Sequence, residues 1–166
     1  MTNDVNASAL VHSLEETREQ MTGLLDEFVQ DTTGVTHAVL SSRDGIKQVH
    51  PSHMTSKADI DWLDELAASA SGLMSLAKGT TGPTGDKRPV QQLLIERSDS
   101  LFLLTEAGVG NAFTDSGKSV ATVLLVLATT DANMGQVAYE TGRMVERFAP
   151  FMTTPIRLLG QVDGVA

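Results

Sequence analysis

A chain of 166 residues with 41% hydrophobic and 20% charged residues fits one compact domain and is too apolar for disorder throughout. The formal net charge of -9 argues against nucleic acid or an anionic membrane as partner, because both need clustered Lys and Arg, and no basic cluster here exceeds Lys87-Arg88. Zero cysteines exclude disulfides, thiolate metal sites and a cysteine nucleophile, and fit a reducing compartment.

The acidity is uneven. Residues 1–31 carry seven acids against Arg18 alone, a local charge of -6, which leaves -3 for everything else. The N-terminus has no basic start followed by an apolar stretch, so it does not read as a signal peptide. The longest apolar run, Val123 to Ala128, is far short of the roughly 20 residues a membrane-spanning helix needs. The expectation is a cytoplasmic protein without membrane insertion.

In chain order, Ser13 and Glu16 have capping-box spacing, and Leu14, Thr17, Met21, Leu24, Leu25 and Phe28 recur at helical spacing until Gly34. This predicts a helix over about 14–30, preceded by a disordered tail at 1–12. Val35 to Ser41 and Ile46 to His50 flank Asp44-Gly45, a strong hairpin signal because Gly accepts the positive φ of a tight turn. Ser56 and Asp59 repeat the capping-box spacing and open a helix over about 58–78. On that helix Ile60, Trp62, Leu63, Leu66, Ala67, Ala70, Leu73 and Met74 fill one arc. Asp61, Asp64, Glu65, Ala68, Ser71, Gly72 and Ser75 fill the other. After the flexible stretch Gly79 to Asp86, three β-prone runs follow: Val90 to Arg97, Leu101 to Glu106 and Val120 to Leu127. A long link from Gly108 to Lys118 separates the last two. Asp131 reads as the cap of a final helix carrying Met134, Val137, Ala138, Thr141, Met144, Val145 and Phe148 on one face. The order α-β-β-α-β-β-β-α predicts an α/β (α+β) domain over 13–149, an antiparallel sheet covered by helices, and an irregular tail at 150–166.

Candidate chemistry is sparse. Ala112 to Ser119 matches a relaxed phosphate-loop pattern ending in Gly117-Lys118-Ser119, but Ala112 stands where the strict form has Gly. The residues after Ser119 are β-branched, whereas a phosphate loop opens a helix. His50 and His53 flank Pro51 without a cysteine or third histidine nearby, a poor zinc set. No Ser sits in a Gly-x-Ser-x-Gly setting, and Gly108-Val109-Gly110 lacks the third Gly of a dinucleotide fingerprint. The expectation is no catalytic residue, no cofactor and no metal.

Two kinds of feature remain: the element order and several segments. Leu24-Leu25-Asp26-Glu27-Phe28-Val29 followed by Gly34 to Gly45 resembles the opening of the Roadblock/LC7 (dynein light chain-related) family. Ala68 to Ala77 resembles its second helix, and Asp131 to Glu140 the start of its third. The resemblance spans about residues 20–148 and is closest to bacterial, especially actinobacterial, members that accompany a Ras-like small GTPase. It implies a five-stranded antiparallel sheet sandwiched by helices, and a homodimer joined along one strand of each sheet. That strand falls on Val90 to Arg97, with Gln91, Gln92, Leu94 and Glu96 at the two-fold edge. It also implies a noncatalytic regulator or scaffold of a Ras-like small GTPase. Asp61, Asp64, Glu65, Ala68, Ser71, Gly72 and Ser75 are then the expected partner-facing patch. The link from Gly108 to Lys118 exceeds the compact hairpin of the family. A small-molecule sensor is the alternative reading, and an NTPase using Gly117-Lys118-Ser119 a third.

Overall fold

Gly45 takes φ of 82°, the left-handed value that the Asp44-Gly45 turn requires, and the hairpin closes with Ser42 N–H donating to the Ile46 carbonyl at 2.8 Å. That turn joins β1 (Val35–Ser42) to β2 (Lys47–Val49). The computed structural model describes residues 2–110 and 118–153. Around the hairpin it places α1 (Thr2–Asp31), α2 (Lys57–Lys78), β3 (Leu93–Glu96), β4 (Leu101–Gly110), β5 (Val120–Ala128) and α3 (Met134–Phe148). A short 3₁₀ turn, Ala149–Phe151, succeeds α3.

The five strands form one antiparallel sheet in the order β2-β1-β5-β4-β3. Strand side chains alternate between the faces, and each face builds its own core. Leu40, Leu103, Leu124 and Val126 pack with Met21, Leu25 and Phe28 of α1 and Val137, Met144 and Phe148 of α3. Val39, Leu104, Leu125 and Leu127 pack on the other face with Leu63, Leu66, Ala70 and Met74 of α2. The near-continuous apolar run of β5 has this cause, since helices cover the central strand on both sides.

Several boundaries differ from the sequence reading. α1 starts at Thr2, so the backbone at 2–12 is helical where a disordered tail was expected. Ser13 is therefore inside the helix and caps nothing; its carbonyl accepts a hydrogen bond from the Thr17 hydroxyl at 2.9 Å. β3 covers only Leu93–Glu96, not Val90 to Arg97. The Gln91 carbonyl is taken by the Thr105 hydroxyl at 2.9 Å, a side-chain bond where a strand would use its ladder. β4 continues to Gly110, so the first part of the expected 108–118 link is strand paired with β5. The cap of α3 is Asn133, whose side chain accepts from the Gln136 amide at 3.1 Å. Asp131 instead accepts from the Thr129 side chain, which holds its carboxyl below the usual range. Residues Ala112 to Gly117 of the phosphate-loop look-alike lie outside the described residues, as does most of the 150–166 tail. Directly after Ser119 the chain enters strand β5, not a helix.

Candidate partner-binding surface

α2 begins with the capping box read from the sequence. The Ser56 hydroxyl accepts from the Asp59 amide at 3.1 Å, and the Asp59 carboxylate accepts from the Ser56 amide at 3.2 Å. With Leu63, Leu66, Ala67, Ala70 and Met74 buried against the sheet, the rest of the helix is divided among an outward stripe and two flanks.

The flank toward the β1–β2 hairpin holds Asp64, Ala68, Ser71 and Ser75. Asp64 pairs with Lys47 at 2.5 Å, and the Ser71 hydroxyl donates to the Arg43 carbonyl. Ala68 lies against Gly45, where an added Cβ would come within 3.1 Å of the Ala68 Cα. Ser75 lines a small crevice with Arg43, Lys78 and Glu106, the last two forming an ion pair. Although exposed or half-exposed, Asp64, Ala68 and Ser71 fasten α2 to the hairpin of its own sheet.

The outward stripe holds Asp61, Glu65 and Gly72, joined by Ser69 and Leu76, which the sequence reading did not select. Asp61 pairs with Lys57 at 2.5 Å across one helical turn, and this exposed pair contributes roughly 0–1 kcal/mol. Leu76 is 76% exposed, the most exposed large apolar side chain among the described residues. The signal for it was present: at 100° per residue, Leu76 falls on the same line as Glu65 and Gly72.

The opposite flank carries Trp62 and Leu73, which form one wall of a groove of about 330 Å³ between α2 and the β3–β4 edge. Leu66, Ala70, Ile95, Phe102, Leu104, Leu125 and Leu127 complete its apolar lining, and Ser69, Arg97, Asp99 and Ser100 its polar rim. Arg97 donates to both Asp99 carboxylate oxygens, at 3.0 and 3.1 Å, and lies 5.7 Å from the Phe102 ring centroid. The Ser100 hydroxyl, and then the Arg97 charge, hold Asp99 below the usual carboxylate range. Trp62 also stands edge-on to His37 of β1, with ring centroids 5.0 Å apart. The sequence reading put Trp62 and Leu73 wholly in the core arc; a groove beside them needs the neighbouring strand to be in place.

β3 borders this groove and is an edge of the sheet, paired only with β4 among the described strands. Leu94 and Glu96 are exposed on it, whereas Gln91 and Gln92, expected on the same strand, are exposed but precede it. Leu94 pairs with Leu103 in register and so lies on the α1/α3 side, yet it is 51% exposed. His50 and His53 do not converge: His50 Nδ1 lies 3.0 Å from the Pro51 carbonyl oxygen, and His53 is exposed. Among the described residues no helix is long and apolar enough to cross a membrane.

The family profile described as "Roadblock/LC7 domain" matches residues 21–114. The crystal structure of a Roadblock/LC7 domain from Streptomyces avermitilis is similar at 32% identity and a TM-score of 0.62, over 77% of this chain and 93% of that one. A structure described as MglB with tetrameric arrangement is similar at 20% identity and a TM-score of 0.63, over 82% of this chain and 90% of that one. The gliding protein MglB from Thermus thermophilus is similar at 20% identity and a TM-score of 0.62, over the same 82% and 90%. At that identity the two MglB structures support the fold alone. No curated protein sequence matches the chain. Helices on both faces of a five-stranded antiparallel sheet, the matched profile and the Streptomyces relative agree: the chain belongs to the Roadblock/LC7 family.

Proposed function

We propose that the protein is a noncatalytic, homodimeric regulator or scaffold of a Ras-like small GTPase. It acts by binding, through the outward stripe of α2. The observation that carries this reading is the α2 surface beside the β3 edge: acidic at its start through Asp61 and Glu65, apolar at its end through Leu76. A partner with a basic rim and an apolar contact matches that gradient, and complementary charge raises the rate of encounter. Family membership supports the same reading, since Roadblock/LC7 proteins act as GTPase regulators or scaffolds. Pairing of β3 with its copy would give the edge's free backbone groups partners, a physical reason to dimerise. The neighbour described as MglB with tetrameric arrangement shows that this fold self-associates elsewhere.

Co-elution with a Ras-like small GTPase, chosen by inspecting whether a neighbouring gene encodes one, and that GTPase's hydrolysis rate with and without this protein, test the reading. A complex is expected, with the nucleotide cycle changed or the GTPase localised. Absence of a complex across a range of salt concentrations would sink it. The groove of about 330 Å³ favours one second reading, a small-molecule sensor, because its size and apolar lining fall in the range of ligand pockets. A melting shift with small apolar compounds but not with the GTPase would favour the sensor.

A further inference from the structure

We propose that His37 is the positioning residue that holds Trp62 as a wall of the groove, and that a proton on its imidazole releases that wall. Pairing along β3 rests on the homodimer reading above. The release of Trp62 itself does not.

His37 sits on β1 opposite Leu127 of β5, half-buried on the α2 side of the sheet. Its ring meets the Trp62 indole at an interplanar angle of 86°, an edge-to-face arrangement that fixes the orientation of both rings. Its Nδ1 lies 3.0 Å from the Thr36 hydroxyl, so one nitrogen has a polar partner. Trp62, in contact with His37 of the sheet, also lines the groove with Leu66 and Leu73. One aromatic contact therefore links a titratable group on β1 to the shape of a surface on α2.

The charged groups around His37 set the direction. Burial disfavours the imidazolium, the nearby His53 charge disfavours it further, and Asp59 in the first turn of α2 partly favours it. The net effect keeps the ring neutral to a lower pH than a free histidine. A charged ring is driven toward water and away from this half-buried seat, and the indole loses its support.

The chain has one tryptophan, so emission excited beyond the absorption of Tyr139 reports Trp62 alone. The full chain is titrated between about pH 8 and pH 5, where histidines change charge. Expected are a red shift and greater acrylamide quenching on acidification, with a midpoint below that of a free histidine. His37→Phe keeps an aromatic edge against the indole and should show no step, with far-UV circular dichroism unchanged. His37→Gln, with no ring and no titration, should also be flat and serves if His37→Phe fails to fold. His53→Gln should keep the step and move its midpoint upward.

A flat wild-type profile, a step surviving in either His37 variant, or a step lost in His53→Gln overturns the proposal. So does quenching without a red shift, which describes an imidazolium that stays on the indole as a cation–π pair. Sedimentation of the same samples separates the two ideas. A monomer at pH 8 removes the pairing reading and leaves the His37 result standing. A dimer whose Trp62 emission never responds to pH removes the His37 proposal alone.

Discussion

Ser56 and Asp59 satisfy each other's backbone donors at the start of α2, and the surrounding energetics are local enough to test by single substitution. Ser56→Ala is expected to cost about 1 kcal/mol, read as a lower urea midpoint with an unchanged slope. The Ser56 hydroxyl, then its amide, holds Asp59 below the usual carboxylate range, so its ionised form is favoured by folding. That contribution is present above the ordinary carboxylate value and is lost as pH falls through the lowered one. His37 acts in the same direction for a different reason. Folding favours its neutral form, so its contribution is present above the free histidine value and is lost as pH falls through the lowered one. Urea midpoints against pH should therefore decline in an upper acidic step that His37→Phe removes and a lower one that Asp59→Asn reduces. At this scale the sequence was informative where both partners are neighbours in the chain, as at Ser56 and Asp59. It misled at Asp131, because two capping-type residues stand two apart there: Asn133 reaches the Gln136 amide, while Asp131 is engaged by the Thr129 side chain.

Elements were legible from periodicity, and their ends were not. β4 and β5 pair beyond Glu106 through Gly108, Val109 and Gly110, where no apolar alternation announces a strand. Gly110 also shows why glycine was needed: a Cβ there would lie 2.0 Å from the Met152 carbonyl oxygen. Gly110→Ala is expected to displace the turn after α3 and lower stability by about 1–3 kcal/mol, measured by thermal or urea unfolding. In α2 the sequence assigned one polar arc to a partner, whereas the structure divides that arc. Asp61→Lys combined with Glu65→Lys should weaken GTPase binding by about tenfold and flatten its salt dependence, with only the small cost, up to about 1 kcal/mol, of losing the exposed Lys57 pair. Asp64→Lys should instead place two cations together at Lys47 and lower stability, since Asp64 belongs to the hairpin contact. Equal effects of these substitutions on binding would refute the division.

Among the described residues, one sheet serves two cores, and β3 is one of its two edge strands. Leu25→Ala, on the α1/α3 side, and Leu63→Ala, on the α2 side, each remove a fully buried side chain and should each cost about 2–5 kcal/mol. A single unfolding transition in both variants would show that the two cores fold as one unit. Leu94→Lys tests the edge. Leu94 is half-exposed within the chain, so stability of the isolated chain should hold while self-association weakens, as read by sedimentation. The charge of -6 on residues 1–31 belongs to α1, on the sheet face opposite the proposed partner stripe. The proposed partner stripe draws instead on the local acids of α2, Asp61 and Glu65.

By itself the sequence determined the element order, the Asp44-Gly45 hairpin, the cap of α2 and the near-continuous apolar run of β5. Each of these depends on residues close in the chain, where φ preference, hydrogen-bond reach and periodicity act directly. Only the tertiary structure decided how far α1 and β4 extend and how short β3 is. It also decided which α2 residues are spent on the sheet and which are offered outward. Asp64, Ser71 and Trp62 find their partners at Lys47, Arg43 and His37, and those distances are set by sheet register and helix rotation, which no local spacing specifies.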